Sequence, residues 1–285
     1  MSTAMALPRT VLRLHRTSLI CWGVFVAAVL GWLVWLTEVD AAHIQHLKAT
    51  CALDDPCNIP YLGWAHGERV GYAALLVCYG FLAVAAFAGS ALIARELESG
   101  TAHLAWSQGV TPHRWLATKL AVPALVLTVG DSALVSAFRW AWAPHRELRY
   151  GDDWAFGEIF VARGPATVAY ALCALAVGAL TALVLRRTLP ALAVSLAAMG
   201  ALHLTLTLCR RFLWPTVTHT SAAEFELPNS AWQVGWGRTG TGGHYATYHP
   251  PSHFWPLHLV ETGIVLAVTA AATVAAFTLL RRRTA

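Results

Sequence analysis

Charge is what this sequence has least of. Only 12% of its 285 residues are Asp, Glu, Lys or Arg, against 57% hydrophobic, and the mean hydropathy is +0.53. Soluble domains carry about 25% charged residues, so a water-exposed globular surface is excluded. Three catalytic patterns are also missing: G-x-x-x-x-G-K-[ST], G-x-S-x-G and H-E-x-x-H. Without the first, the chain has no loop of backbone amides plus lysine to hold ATP phosphates; without the others it has neither a nucleophile elbow nor a zinc-protease helix. The stretch GRTGTGG (237–243) runs into His244 instead of a lysine and reads as a flexible loop. Lysine itself is nearly absent, Lys48 and Lys119 being the only two among 20 basic residues. The net charge of +5 gathers into no basic patch interleaved with aromatics, which excludes a nucleic-acid surface.

What is there is apolar and grouped. Runs at 18–37, 70–94, 120–142, 166–185, 189–209 and 258–280 each reach the roughly 20 residues that a helix needs to cross a bilayer. They are continuously apolar rather than alternating, which points to helices and away from a barrel. The fold expected is an all-α integral membrane protein of six transmembrane helices, forming one domain over 1–285. Its first run is too long for a signal-peptide core and is read as a retained span.

Cations orient the spans. With the N-terminus, 95–119, 186–188 and the C-terminus on one side, that side holds eleven Lys and Arg in short segments; the other holds eight, diluted by eleven acids. The denser side is expected to be cytoplasmic, so both termini face the cytoplasm across a cell membrane, and 210–257 becomes a long external segment between helices 5 and 6. Trp32, Trp35, Trp140, Trp142, Trp214 and Trp255 fall at the outer ends, where indole rings favour the headgroup zone. Small residues recur every fourth position at Ala174, Gly178, Ala182 and at Ala267, Ala271, Ala275, a spacing that lets helices approach closely.

Cysteine divides into two sets. Cys21, Cys78, Cys173 and Cys209 lie in or beside spans as small hydrophobes. Cys51 and Cys57 flank ALDDP in the first external loop and suit a disulfide in an oxidising compartment; a metal pair with His43 and His46 is the alternative. Asp131, mid-span in TVGDSAL, is costly in lipid, and the open readings are that it pairs with Arg139 or His203, accepts a cation or proton, or lines a transport path. The histidines of 210–257 are expected at the surface of a lid over the external mouth.

One polar stretch interrupts the apolar ones: RELESGTAHLAWSQGVTPHRWLATK, 95–119, between spans 2 and 3. Glu96 and Glu98 are placed near a helix start, Gly100 and Thr101 end one helix and begin another, and Pro112 suits a first turn. Trp106 and Trp115 bring apolar surface to a loop, which suits a protein interface; a solvated linker is the alternative. Upstream, MALPRTVLRLHRTSL (5–19) alternates Leu7, Val11 and Leu14 with Arg9, Arg13 and Arg16, as an amphipathic headgroup helix or as simple cationic flanking does.

This stretch resembles the segment after the second helix of type-2 ABC exporter permeases, whose pattern is E-R-E-x-G-T, a Leu-rich turn, P-V-S-R and a closing Lys. Glu96, Glu98, Gly100, Thr101, Leu104, Val110 and Lys119 fall on it, with Arg114 close to the family's Arg; Gly109 and Pro112 depart from it. The wording, with its Arg-rich composition, is similar to the actinobacterial branch. The resemblance implies that 95–119 carries a cytoplasmic coupling helix docking into an ATPase subunit, with Trp106 and Arg114 in that contact, and that 1–17 is an elbow helix. It implies as partners two ATPase subunits, which hold ATP and Mg, and a second permease copy in a homodimer. This chain would then have no cofactor and no catalysis of its own. Two rivals stand beside this reading: a membrane-embedded metal or haem enzyme using His203, His258 and Glu261, and a membrane anchor for a partner complex. No residue pattern names a substrate.

Overall fold

The computed structural model of the chain describes residues 16–50, 59–144, 154–228, 230–240 and 242–284. Among them six helices are long and apolar enough to cross a membrane: Arg16–Leu47, Gly63–Glu98, Pro112–Trp142, Ala166–Leu185, Thr188–Phe212 and Pro251–Thr284, hereafter spans 1 to 6. Each contains one of the apolar runs. The elbow segment up to residue 15 and the Cys51/Cys57 pair lie outside the described residues.

Two spans are wound unusually. Span 1 passes from α-helix at Arg16–Trp35 through a π-turn at Leu36–Asp40 into Ala41–Thr50. Glu38 and Asp40 are therefore helical, and Asp40 is turned inward. Span 2 carries a longer π-stretch, Val84–Ala91, where the Leu92 N–H reaches back five residues to the Phe87 carbonyl. The Ala85 carbonyl in this stretch accepts from Ser90 Oγ at 3.0 Å and from Ser195 Oγ of span 5 at 3.1 Å. These hydroxyls stand in for the water that lipid cannot supply.

Span 4 is the centre of the bundle, touching spans 2, 3, 5 and 6. Its small residues allow this. A β-carbon on Gly178 would lie 2.6 Å from the Gly89 Cα of span 2, and one on Gly89 would lie 2.8 Å from the Gly178 Cα, so the two backbones meet with no room for a side chain. The Ala174–Gly178–Ala182 stripe thus packs as expected. The Ala267–Ala271–Ala275 stripe does not: it is exposed, and span 6 packs through Val265, Ala272 and Ala276 instead. The outward faces of the spans carry large apolar residues such as Phe87, Leu125, Leu189, Leu204 and Val274, as a hydrocarbon solvent requires. Trp140, Trp214 and Trp255 are exposed at or beside span ends; Trp35 is exposed inside span 1, just before its π-turn, and Trp142 is buried.

The fold is mostly helical, as expected, and the 210–257 segment adds strands to it. This segment forms an antiparallel three-stranded sheet of order β1-β3-β2, with β1 Val217–Ser221, β2 Trp232–Arg238 and β3 His244–His249. VTHTS, WQVGWGR and HYATYH are rich in the β-branched and aromatic residues that favour pleated structure. Gly235 follows the bulge that shifts register after Gln233.

Candidate functional site

The 95–119 stretch is built from two helix breaks. Gly100 adopts φ of 76°, a left-handed conformation that glycine takes without strain, and its carbonyl then accepts from the His103 and Leu104 amides. The helix of span 2 stops at Glu98, and a short helix, Thr101–Ser107, starts in a new direction. Gly109, at φ 88°, makes the second break. Thr111 then caps span 3, its hydroxyl accepting from the Arg114 amide, with Pro112 in the first turn. Glu96 and Glu98 therefore sit at a helix end, correcting the expectation of a helix start.

Both glutamates are spent on joining elements. Glu96 accepts from Trp115 Nε1 at 3.0 Å and pairs with the Lys119 ammonium, fastening the end of span 2 to the first turns of span 3. Glu98 Oε2 accepts from the backbone N–H of Thr188 at 2.9 Å and from its hydroxyl at 2.6 Å. Thr188 opens span 5, and Arg187 before it offers no side-chain cap, so Glu98 supplies the cap from another part of the chain.

The rest of the stretch divides into an inner and an outer face. Trp115 and Lys119 are buried, and Trp106 is half-buried with its ring edge-on to Trp115 at 5.7 Å. The two tryptophans thus chiefly pack the inside of the stretch, which corrects their reading as interface surface. Leu104 is 59% exposed and is flanked by exposed His103, Ser107 and Gln108, with Arg114 exposed on the next helix and Val110 half-buried between. Six crossings bring this stretch, the Arg186–Arg187 link and Arg281–Arg283 to one face of the bundle.

Polar groups also occur deep in the bundle. Arg210 and Glu261 are fully buried and form a two-point ion pair, Nε to Oε2 at 2.7 Å and Nη2 to Oε1 at 3.0 Å. Tyr170 OH donates to Glu261 Oε1 at 2.9 Å, and the guanidinium lies 4.1 Å from the Phe160 ring centre. Arg210 thereby closes span 5 onto spans 4 and 6. A second centre joins span 1 to span 2, where Asp40 meets His66 Nδ1 and Arg69 Nη1, both at 2.7 Å. Two signals could have shown it: Asp40 lies next to an apolar run, and His66 and Arg69 share a helix face.

Asp131 pairs with neither Arg139 nor His203. It is 4% exposed and its Oδ2 has no hydrogen-bond partner among the described residues. Arg139 stacks on Trp255 at 5.0 Å, and the His203 ring lies among Tyr79, Phe81 and Tyr170. A cavity of about 590 Å³ opens between spans 1, 2 and 3, lined by Trp22, Phe25, Tyr79, Phe87, Pro123 and Leu127 among others. Asp131 follows Leu127 by one turn without lining it.

The metal or haem alternative finds no support. His258 Nε2 accepts from the Ala166 amide at 3.0 Å, Glu261 is occupied by Arg210 and Tyr170, and no three His, Cys, Asp or Glu among the described residues form a metal-holding group. His43 and His46 are exposed on the helix that continues span 1.

A comparison with protein families matches residues 23–211 to a family described as ABC-2 membrane transporter related. No curated protein and no solved structure matches the chain.

Proposed function

Because the chain belongs to the ABC-2 family of membrane transporters, as a multi-pass permease component that is not itself an enzyme, we propose that it is the membrane half of an ATP-driven exporter and that 95–119 is where a separate ATPase pushes. The observation that carries this reading is the division of that stretch. Its outer face offers Leu104 as an apolar anchor with Arg114 near by, while its inner face ties to span 3 through Glu96 and to span 5 through Glu98. A force applied at Leu104 thus reaches two spans through hydrogen-bonded carboxylates rather than through a slack linker. Gly100 and Gly109 delimit the short helix as a unit, and Thr101 binds back to the Glu96 carbonyl, which keeps it attached to span 2.

In this reading the termini and 95–119 are cytoplasmic and the sheet of 210–257 is external, in a cell membrane. The whole chain acts as one permease domain, paired with a second copy and with two ATPase subunits that bind ATP and Mg. Closure of the ATPase dimer moves the short helix, and spans 3 and 5 shift against the packed centre made by span 4.

The test is co-purification of the full chain in mild detergent with the ATPase from its own host, wild type beside Leu104→Arg. Recovery of a Walker A-bearing subunit by wild type, reduced at least tenfold by the variant, is expected. Equal recovery by both overturns the docking role of the stretch, and failure of wild type to retain any such subunit overturns the exporter reading.

A further inference from the structure

The last strand and the last span meet at two histidines. His249 ends β3 and is fully buried; His253 closes the turn Pro251–His253, immediately before Phe254 begins the long helix of span 6. Their Nδ1 atoms stand 3.1 Å apart, and His249 Nε2 lies 3.1 Å from the backbone carbonyl of Arg211.

Hydrogen bonding fixes the tautomer. A carbonyl only accepts, so His249 Nε2 carries the hydrogen and donates it to Arg211. In a neutral ring Nδ1 then holds a lone pair, and that lone pair faces the second Nδ1. Burial holds the His249 imidazole below its usual range; the Arg211 carbonyl opposes this and the neighbouring His253 adds to it. With the hydrogen on Nε2, the Nδ1 lone pair is the one free to ligate a metal. A single hydrogen, the one His253 Nδ1 donates, fills the gap between the rings.

We propose that this gap is a binding site for a divalent transition-metal ion, with His249 Nδ1 and His253 Nδ1 as its two protein ligands. Three features support it. The 3.1 Å separation is near that of two imidazole nitrogens on one tetrahedral ion with bonds of about 2.0–2.1 Å. The donation from His249 Nε2 to a backbone carbonyl is the outer contact that ligating histidines characteristically make, fixing ring orientation and raising basicity. Imidazole pairs suit Zn²⁺, Cu²⁺ and Ni²⁺ rather than Mg²⁺ or Ca²⁺. On binding, His253 changes tautomer: Nδ1 gives up its hydrogen and Nε2 takes one from water, so the ring stays neutral and no net proton is released. No third His, Cys, Asp or Glu among the described residues completes a ligand group, so water fills the remaining positions.

Position gives the site its use. It joins the end of β3 to the start of span 6, and through the Arg211 carbonyl to the end of span 5, one residue from the Arg210–Glu261 pair. A bound ion therefore pins the sheet to the two spans it connects. This inference does not depend on the exporter reading.

The experiment titrates Cu²⁺ and, separately, Zn²⁺ into chelator-treated full-length protein in detergent, comparing wild type with His253→Asn, His249→Asn and, as a control for adventitious binding, His219→Asn. Wild type and His219→Asn should bind one Cu²⁺ per chain that gives a two-nitrogen EPR signature, with affinity falling at least tenfold in His253→Asn and His249→Asn. Zn²⁺ should raise the melting temperature of wild type but not of His253→Asn. Equal binding and equal melting shifts in wild type and His253→Asn overturn the site, as does a loss in His219→Asn as large as in His253→Asn. Should His253→Asn not melt cooperatively without metal, the His249→Asn comparison decides by the same criteria.

Discussion

Glu98, at the end of span 2, caps span 5 by accepting from both the amide and the hydroxyl of Thr188, 90 residues further along the chain. Replacing Glu98 with Ala should leave ATPase recovery within about twofold of wild type but lower the stimulation of ATP hydrolysis by the permease, since docking survives and transmission to span 5 does not. Glu98→Gln keeps an acceptor oxygen and should retain most of the stimulation. Loss of ATPase recovery in Glu98→Ala would place Glu98 in the docking contact instead.

Glu96 and Lys119 predict a different pattern, because their pairing is largely shielded. Lys119→Met leaves the Glu96 carboxylate with Trp115 alone and should cost up to about 3 kcal/mol, the lower end for breaking a buried pair. The double variant Glu96→Gln/Lys119→Met should recover at least about 1 kcal/mol of that loss. Thermal melts of Glu96→Gln, Lys119→Met and the double variant in one detergent measure it; strictly additive losses would contradict the pairing.

Arg210 and Glu261 extend the same logic to full burial. Glu261→Leu strands a guanidinium among apolar rings and should destabilise by about 3–5 kcal/mol, whereas Arg210→Met/Glu261→Leu should come much closer to wild type. Denaturant or thermal unfolding of the single and double variants distinguishes the two cases.

Gly89 and Gly178 test the packing of spans 2 and 4. Either glycine changed to Ala drives a β-carbon into backbone at 2.6–2.8 Å, where no side chain can turn aside. Each substitution should cost about 1–3 kcal/mol as overpacking, while Gly200→Ala, which meets open space, should be close to neutral. Equal melting temperatures for Gly178→Ala and Gly200→Ala would contradict the contact.

Much of this architecture was legible in the sequence because lipid imposes a simple requirement on long apolar runs, and all six fell inside observed spans. The break at Gly100 and the helix start at Pro112 were legible because backbone preference is local. What depended on partners far along the chain was not. Glu98 meeting Thr188, Arg210 meeting Glu261, and Trp115 turning inward are consequences of how spans pack, and the local sequence at Trp115 is equally compatible with an exposed ring. The Ala267–Ala271–Ala275 stripe shows the limit of spacing arguments, since a four-residue period selects a face without saying which neighbour covers it. The sheet of 210–257 was missed because the segment was weighed for its histidines and tryptophans, while the strand character of VTHTS and HYATYH went unused.

The central claim is that the outer face around Leu104 touches an ATPase. The most direct measurement places a photo-crosslinking amino acid at position 104 in the native host, with position 236 at the opposite end of the molecule as control, and identifies the adduct by mass spectrometry. The account predicts an adduct at 104, absent at 236, with a subunit bearing the G-x-x-x-x-G-K-[ST] loop that this chain lacks. An adduct at 104 with lipid alone, or equal ATPase crosslinking from both positions, would contradict it.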